Sequence, residues 1–250
     1  MAATSPELSA QSSNCRDVYF FGGHGLGEGS ETDWGRTVGD VYLKFRDALH
    51  GADPDVSVDG APIAYPRKDL PGGGLLGLGA AWVETWEKEQ PDIVDGAAAL
   101  SSQINRRISQ CQHAPERFVI VGFSEGAWVI HQYLKKAPQQ ILNMISGVAL
   151  LGDPQYTGTG IIPKRIPKYA ITPFFPREIA RRATSWCLSY YLPAAKRTVA
   201  DPICMYGNRK DEQNCRKAAN MRLDEAWCPH LWYRQSGNTQ RAADYLVSLS

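Results

Sequence analysis

The sequence predicts an α/β fold: a doubly wound, mostly parallel sheet flanked by helices. Three observations predict it. Short continuous apolar runs, residues 118–121 (Phe-Val-Ile-Val) above all, read as strands buried on both faces, as parallel sheets require. These runs alternate with stretches of helical periodicity, the pattern of strands joined by crossover helices. The chain has 250 residues, 43% of them hydrophobic, enough for one large domain with a full core.

In chain order, residues 1–14 are polar and short on structural signal, and are expected to form a disordered arm. They lack the charged start and apolar stretch of a signal peptide and read as the trimmed start of a mature chain with an added Met. Residues 15–250 are expected to form a single domain. Residues 17–21 make a first strand, which enters a tight loop rich in glycine over 22–29. That loop does not have the G-x-G-x-x-G spacing of a dinucleotide site. Residues 33–49 are helical, with Val38, Val41, Tyr42, Phe45 and Leu49 on one face. Residues 56–58 and 63–65 look like two strand pieces around a turn at Asp59-Gly60. Gly72 to Gly77 does match G-x-G-x-x-G, but it follows Asp69-Leu-Pro and not a strand, so no cofactor is read from it. Residues 91–110 form a long helix. The strand at 118–121 follows, and a helix comes after it, closed by Lys135, Lys136 and Pro138. Residues 148–151 are the next buried strand. A long irregular stretch over 155–184 mixes prolines, aromatics and basic residues, as binding loops often do. A last core strand is expected at 185–191, a short helix at 213–223 and a terminal helix at 239–249.

Between the strand at 118–121 and its helix lies Gly122-Phe-Ser-Glu-Gly, a G-x-S-x-G pattern. Strand, sharp turn and helix together are the context of a nucleophile elbow. The turn strains Ser124 and needs small neighbours, which Gly122 and Gly126 are. The serine oxygen then stands at a helix N-terminus, where backbone N–H groups can stabilise a developing oxyanion. Such a serine needs a base and an acid. Of His24, His50, His113, His131 and His230, only His230 fits the order nucleophile, acid, histidine of α/β-hydrolases. Asp153, Asp201, Asp211, Glu212 and Asp224 all lie between Ser124 and His230, and chain order does not choose among them.

A formal net charge of +1 gives no global attraction to nucleic acid. No apolar run reaches membrane-span length. The 6 cysteines are even in number and widely spread, and none forms a C-x-x-C pair. That argues for three disulfides and an oxidising compartment, and against zinc; six buried thiols in a cytosolic enzyme are the alternative.

Gly122-Phe-Ser-Glu-Gly-Ala, His24-Gly-Leu-Gly-Glu, Asp201-Pro-Ile-Cys and Pro229-His-Leu-Trp-Tyr together resemble, in this chain, the motifs of the cutinase family of serine esterases, which includes acetylxylan esterases, with the phage lysin B esterases as relatives. Gly122-Phe-Ser-Glu-Gly-Ala resembles the family's G-Y-S-Q-G-A, and His24-Gly-Leu-Gly-Glu resembles R-G-T-G-E. Asp201-Pro-Ile-Cys resembles the D-P-x-C that carries the acid, and Pro229-His-Leu-Trp-Tyr the P-H-L-x-Y that carries the histidine. The resemblance implies Ser124 as nucleophile, His230 as general base, Asp201 as its orienting acid, and the backbone N–H groups of Leu26 and Glu125 as oxyanion hole. It implies disulfides between Cys15 and Cys111 and between Cys187 and Cys204, leaving Cys215 and Cys228 as an extra pair. Leu26 stands where relatives often carry a hydroxyl, Glu125 replaces a glutamine, and the stretches on both sides of Cys204 are longer than usual. Asp211 is therefore the second choice of acid.

The expectation is a secreted, monomeric enzyme, extracellular or in the cell wall, that cleaves carboxylic esters without metal or organic cofactor. Its substrate would be a cutin or other polyester, a lipid or a short-chain acyl ester, with lipid-like and polyester molecules favoured and residues 161–182 as the segment that could contact a lipid or polymer surface. Alternatives are a phospholipase, thioesterase or mycolyl-ester hydrolase with the same triad, or an inactive binding protein on this fold.

Overall fold

The computed structural model describes residues 14–65, 90–154, 175–201, 203–204, 213, 215 and 228–250. Five parallel strands form the central sheet: β1 (Val18–Gly23), β2 (Val58–Pro62), β3 (Arg117–Phe123), β4 (Ile145–Leu151) and β5 (Ala183–Trp186). Their order across the sheet is β2-β1-β3-β4-β5. Helices α1 (Gly35–Ala52), α2 (Gln90–Gln110), α3 (Glu125–Leu134), α4 (Gln139–Met144) and α5 (Asn238–Val247) occupy its two faces. The mostly parallel sheet flanked by helices is the α/β-hydrolase arrangement expected from the sequence.

Strand alternation assigns the core to two layers. Phe118 and Ile120 of β3, Val148 and Leu150 of β4 and Phe21 of β1 pack with α2 and α3. Val119, Val121 and Phe123, with Ala149, Leu151, Phe20 and Val18, pack with α1 and α5 on the other face. This is why residues 118–121 of β3 and 148–151 of β4 are apolar throughout: each successive side chain enters one core or the other. The winding reverses between β1 and β3. In open parallel sheets the crevice for ligands lies at that switch point, beyond the carboxyl ends of the strands.

Two element assignments differ from the sequence reading. The turn at Asp59-Gly60 does not form and residues 63–65 are not a strand, because the one strand here, β2, runs straight through 59–60 and ends at Pro62, paired with β1 from Val18↔Val58 to Gly22↔Pro62. The neighbouring strand supplies the backbone partners that a local turn would have supplied. The expected last strand over 185–191 is broken. β5 ends at Trp186, and β6 (Ser189–Leu192) leaves the sheet to pair antiparallel with β7 (Arg197–Ala200). The break lies at Cys187 and Leu188: Cys187 is bonded to Cys204. The Leu188 N–H donates to the Tyr233 hydroxyl at 3.0 Å. The Leu188 carbonyl accepts from the Asp201 N–H at 2.8 Å, so neither backbone group is left for the ladder.

Three disulfides join Cys15 to Cys111, Cys187 to Cys204 and Cys215 to Cys228. The first ties residues before β1 to the end of α2. Beside it Glu116, 3% exposed, pairs with Arg107 and accepts from the Arg16 N–H at 2.7 Å. The glycine run at 72–77 and Asp211 lie outside the described residues, as do nearly all of 213–223 and, in the segment 161–182, residues 161–174. Of the remainder of that segment, Arg177 and Arg181 are exposed and Ile179 is buried. Arg182 donates to the carbonyls of Ile145 and Glu178 at 2.5 and 2.8 Å, so it braces the body of the domain. No helix among the described residues is long and apolar enough to cross a membrane.

Candidate active site

β3 ends at Phe123, and α3 begins at Glu125, so the chain must reverse within one residue. Ser124 takes that reversal at φ 54° and ψ −115°, a region most side chains avoid. Such a conformation costs on the order of 1–3 kcal/mol and persists only where the surroundings over-determine it. Here they do. The Ser124 N–H donates to the Leu151 carbonyl at 2.9 Å, and the Gly126 N–H donates to the His24 carbonyl at 3.0 Å. A Cβ on Gly126 would stand 2.1 Å from the Gly23 carbonyl oxygen, so the elbow and the end of β1 approach only because residue 126 is glycine.

Two further loops meet Ser124. The turn Pro229–Leu231 brings His230 over the elbow, with its ring stacked on Phe123 at 4.8 Å. Its Nε2 lies 3.0 Å from the Ser124 Oγ. Its Nδ1 lies 2.9 and 3.1 Å from the two carboxylate oxygens of Asp201. A carboxylate accepts, so Nδ1 carries the proton and Nε2 presents its lone pair to the serine hydroxyl. Asp201, fully buried just beyond β7, also accepts from the Ile203 N–H and the Tyr233 hydroxyl, both at 2.8 Å. Gly152 closes the site from the end of β4 at φ 55°; a Cβ there would stand 3.0 Å from His230 Cε1 and 3.1 Å from Asp201 Oδ2. Ser124 and His230 keep 8% and 5% exposure, while Asp201 is fully buried. A serine hydroxyl whose proton an oriented imidazole can take is equipped for nucleophilic attack on a carbonyl carbon.

The loop after β1 lies against the elbow. Leu26 is half-buried there, in a turn closed by the Glu28 N–H donating to the Gly25 carbonyl at 3.0 Å. The Glu28 carboxylate in turn accepts from the backbone N–H and the hydroxyl of Thr37, each at 3.0 Å, which ties the loop to the first turn of α1. Glu125 is buried at the start of α3. The Tyr65 hydroxyl donates to the His24 carbonyl, the same oxygen that Gly126 binds. Burial, with the Glu125 charge adding to it, holds that phenol well above its ordinary range, so it remains a donor. His24 stacks on Tyr65 at 4.2 Å and donates from Nδ1 to the Gly25 carbonyl at 3.1 Å, which commits it to holding the loop. Burial lowers its affinity for a second proton.

Of the carboxylates between Ser124 and His230, Asp153 belongs to a separate buried pair. The His131 Nε2–H donates to it at 2.8 Å and the Ser185 hydroxyl at 2.7 Å. This pair joins α3, the end of β4 and β5. Among the described residues, no group of three His, Cys, Asp or Glu side chains could hold a metal ion.

The Cutinase family model matches residues 80–249. The chain belongs to the cutinase family. A cutinase of Coprinopsis cinerea is 29% identical to it over 159 residues, which span 62% of this chain and 65% of that relative's length. The solved structure of Trichoderma reesei cutinase with a phosphonate inhibitor aligns over 94% of this chain and 77% of that one, with a TM-score of 0.55 and 19% identity. That likeness is one of fold. A cutinase-like protein from Cryptococcus sp. aligns over 69% of this chain and 76% of its own, with a TM-score of 0.46 and 14% identity.

Three residues around the site were not singled out from the sequence of this cutinase-family chain. Gly152 carries no motif, and its role appears only when β4 is placed beside β3. Tyr65 is one apolar residue among many until its hydroxyl meets the loop after β1. Tyr233 stood inside the Pro229-His-Leu-Trp-Tyr stretch, so its position was visible although its partner was not.

Proposed function

We propose that this chain hydrolyses carboxylic esters through an acyl-enzyme on Ser124. The observation that carries the reading is the chain of contacts from the strained Ser124 to His230 Nε2 at 3.0 Å, and from His230 Nδ1 to the buried Asp201 at 2.9 Å. The Ser124 Oγ attacks the ester carbonyl as its proton passes to His230. Asp201 holds the imidazole tautomer and stabilises the imidazolium. The carbonyl oxygen gains negative charge, which the backbone N–H groups of Leu26 and Glu125 stabilise. The intermediate collapses, the alcohol leaves with the proton from His230, and the acyl group stays on Ser124. Water, deprotonated by His230, then releases the carboxylic acid and restores the serine.

The substrate is a lipid-like or polyester molecule, met at a surface. The exposed Arg177 and Arg181 support contact with an anionic surface. The three disulfides support work outside the cell or in the cell wall.

The test combines fluorophosphonate labelling with esters graded by acyl length, presented dissolved and as triglyceride or phospholipid emulsions. The label is expected on Ser124. Ser124→Ala is expected to lose the label and on the order of 10⁴–10⁶ in rate. Unlabelled native protein without esterase activity would support an inactive binding protein on this fold, and a Ser124→Ala variant with a tenth of native activity would end the elbow reading.

A further inference from the structure

We propose that Tyr233 is a positioning residue for Asp201 and His230: its hydroxyl holds the buried carboxylate in place and draws off part of its negative charge, which sets the lower end of the working pH range. For its activity readouts the proposal rests on the ester-hydrolase reading above.

Tyr233 follows His230 by three residues, just after the turn that carries the imidazole, and is 1% exposed. Its single hydroxyl proton has three acceptors within reach, Asp201 Oδ2 at 2.8 Å, the Trp186 carbonyl at 3.3 Å and the disulfide-bonded Cys204 Sγ at 3.7 Å. The carboxylate is both nearer and charged, so it takes the proton. Burial, with the Asp201 charge added, pushes the phenol far above its ordinary range, so the hydroxyl stays a donor wherever an imidazole can work as a base. The oxygen also accepts the Leu188 N–H at 3.0 Å. One atom therefore joins the catalytic turn to the point where the chain leaves the central sheet, beside the disulfide between Cys187 and Cys204.

The consequence is electrostatic as well as geometric. Asp201 is fully buried and takes its hydrogen bonds from His230 Nδ1, the Ile203 N–H and Tyr233. Each donor stabilises the charged carboxylate and weakens its hold on the imidazole proton. Without the phenol, more of the Asp201 negative charge faces the imidazole, and the carboxylate binds the imidazolium more strongly. The sign follows: the acid limb of the rate profile moves to higher pH, and the proton passes less readily to the leaving alcohol. Simple core filling would behave otherwise. The Tyr233 ring packs on Phe123 at 5.6 Å, and phenylalanine would preserve that packing.

The experiment compares native protein with Tyr233→Phe. The acid limb of kcat/KM is expected to rise by about 0.5–1 pH unit, and kcat to fall about 3–30-fold with KM within about twofold. In proton NMR of histidine-labelled protein, the resonance on His230 Nδ1 is expected to move downfield as its bond to Asp201 strengthens. An unchanged acid limb together with an unchanged resonance, whatever the loss in melting temperature, would reduce Tyr233 to packing and overturn the proposal. The resonance needs no turnover, so it tests the proposal even if no ester is cleaved. If the variant does not fold, native protein decides. A slowly exchanging Tyr233 hydroxyl proton close to the Leu188 amide supports the proposal, and a rapidly exchanging one overturns it.

Discussion

Asp201→Asn changes one atom and separates charge from shape. Asp201 Oδ1 accepts the Ile203 backbone N–H at 2.8 Å, and a backbone donor cannot turn away. The amide oxygen must therefore stand at Oδ1, which puts the new NH₂ at Oδ2, facing His230 Nδ1 at 2.9 Å. The Tyr233 hydroxyl now meets a donor and can swing to the Trp186 carbonyl at 3.3 Å, so the arrangement survives without a clash. With a donor as its nearer partner at 2.9 Å and the amide oxygen, already bound to the Ile203 N–H, at 3.1 Å, Nδ1 is driven towards the accepting tautomer. The proton moves to Nε2, where it points at the Ser124 hydroxyl and the imidazole can no longer act as its base. We expect kcat to fall by roughly 10²–10⁴, about 3–5 kcal/mol of transition-state stabilisation, with a smaller change in KM. The assay is steady-state hydrolysis of a soluble chromogenic ester, with circular dichroism as the control for folding. Asp211→Asn, made in parallel, is expected to change the rate less than about tenfold. A folded Asp201→Asn protein within tenfold of native kcat would refute the reasoning, and a loss confined to Asp211→Asn would move the acid to the longer loop.

Gly152→Ala places a methyl at a positive φ and about 3 Å from both His230 and Asp201; a fall in kcat of about 10–100-fold is expected from titrating active sites and measuring turnover. Replacing Cys15 and Cys111 together by serine opens a crosslink spanning 96 residues; about 4–5 kcal/mol should be lost, lowering the melting temperature by on the order of 10–15 °C in calorimetry. His131→Ala leaves the buried Asp153 without its imidazole partner; urea unfolding should show a loss of about 3–5 kcal/mol while the folded fraction keeps kcat within a few-fold, since the pair does not touch Ser124.

Local pattern was enough for the middle strands of the sheet, for the elbow and for much of the helical layer. Phe118 through Val121 must be buried on both faces whatever surrounds them. A glycine on each side of Phe123-Ser124-Glu125 signals a sharp reversal without reference to any other segment. Chain order likewise singled out His230, because order survives folding. The choice of carboxylate does not have that property. By chain order Asp153 and Asp201 are equally plausible, and only the resemblance of Asp201-Pro-Ile-Cys favoured Asp201; their physical separation comes when β4 carries Asp153 towards His131 while the hairpin after β5 returns Asp201 to His230. The same long-range pairing ran β2 through Asp59-Gly60 and broke the strand after Trp186, where Leu188 gives its N–H to Tyr233 and its carbonyl to Asp201. Periodicity and turn chemistry report the preferences of neighbouring residues, so they determine elements. Which donor meets which acceptor across 106 residues, as His230 and Ser124 do, depends on how those elements pack, and only the tertiary structure decides it.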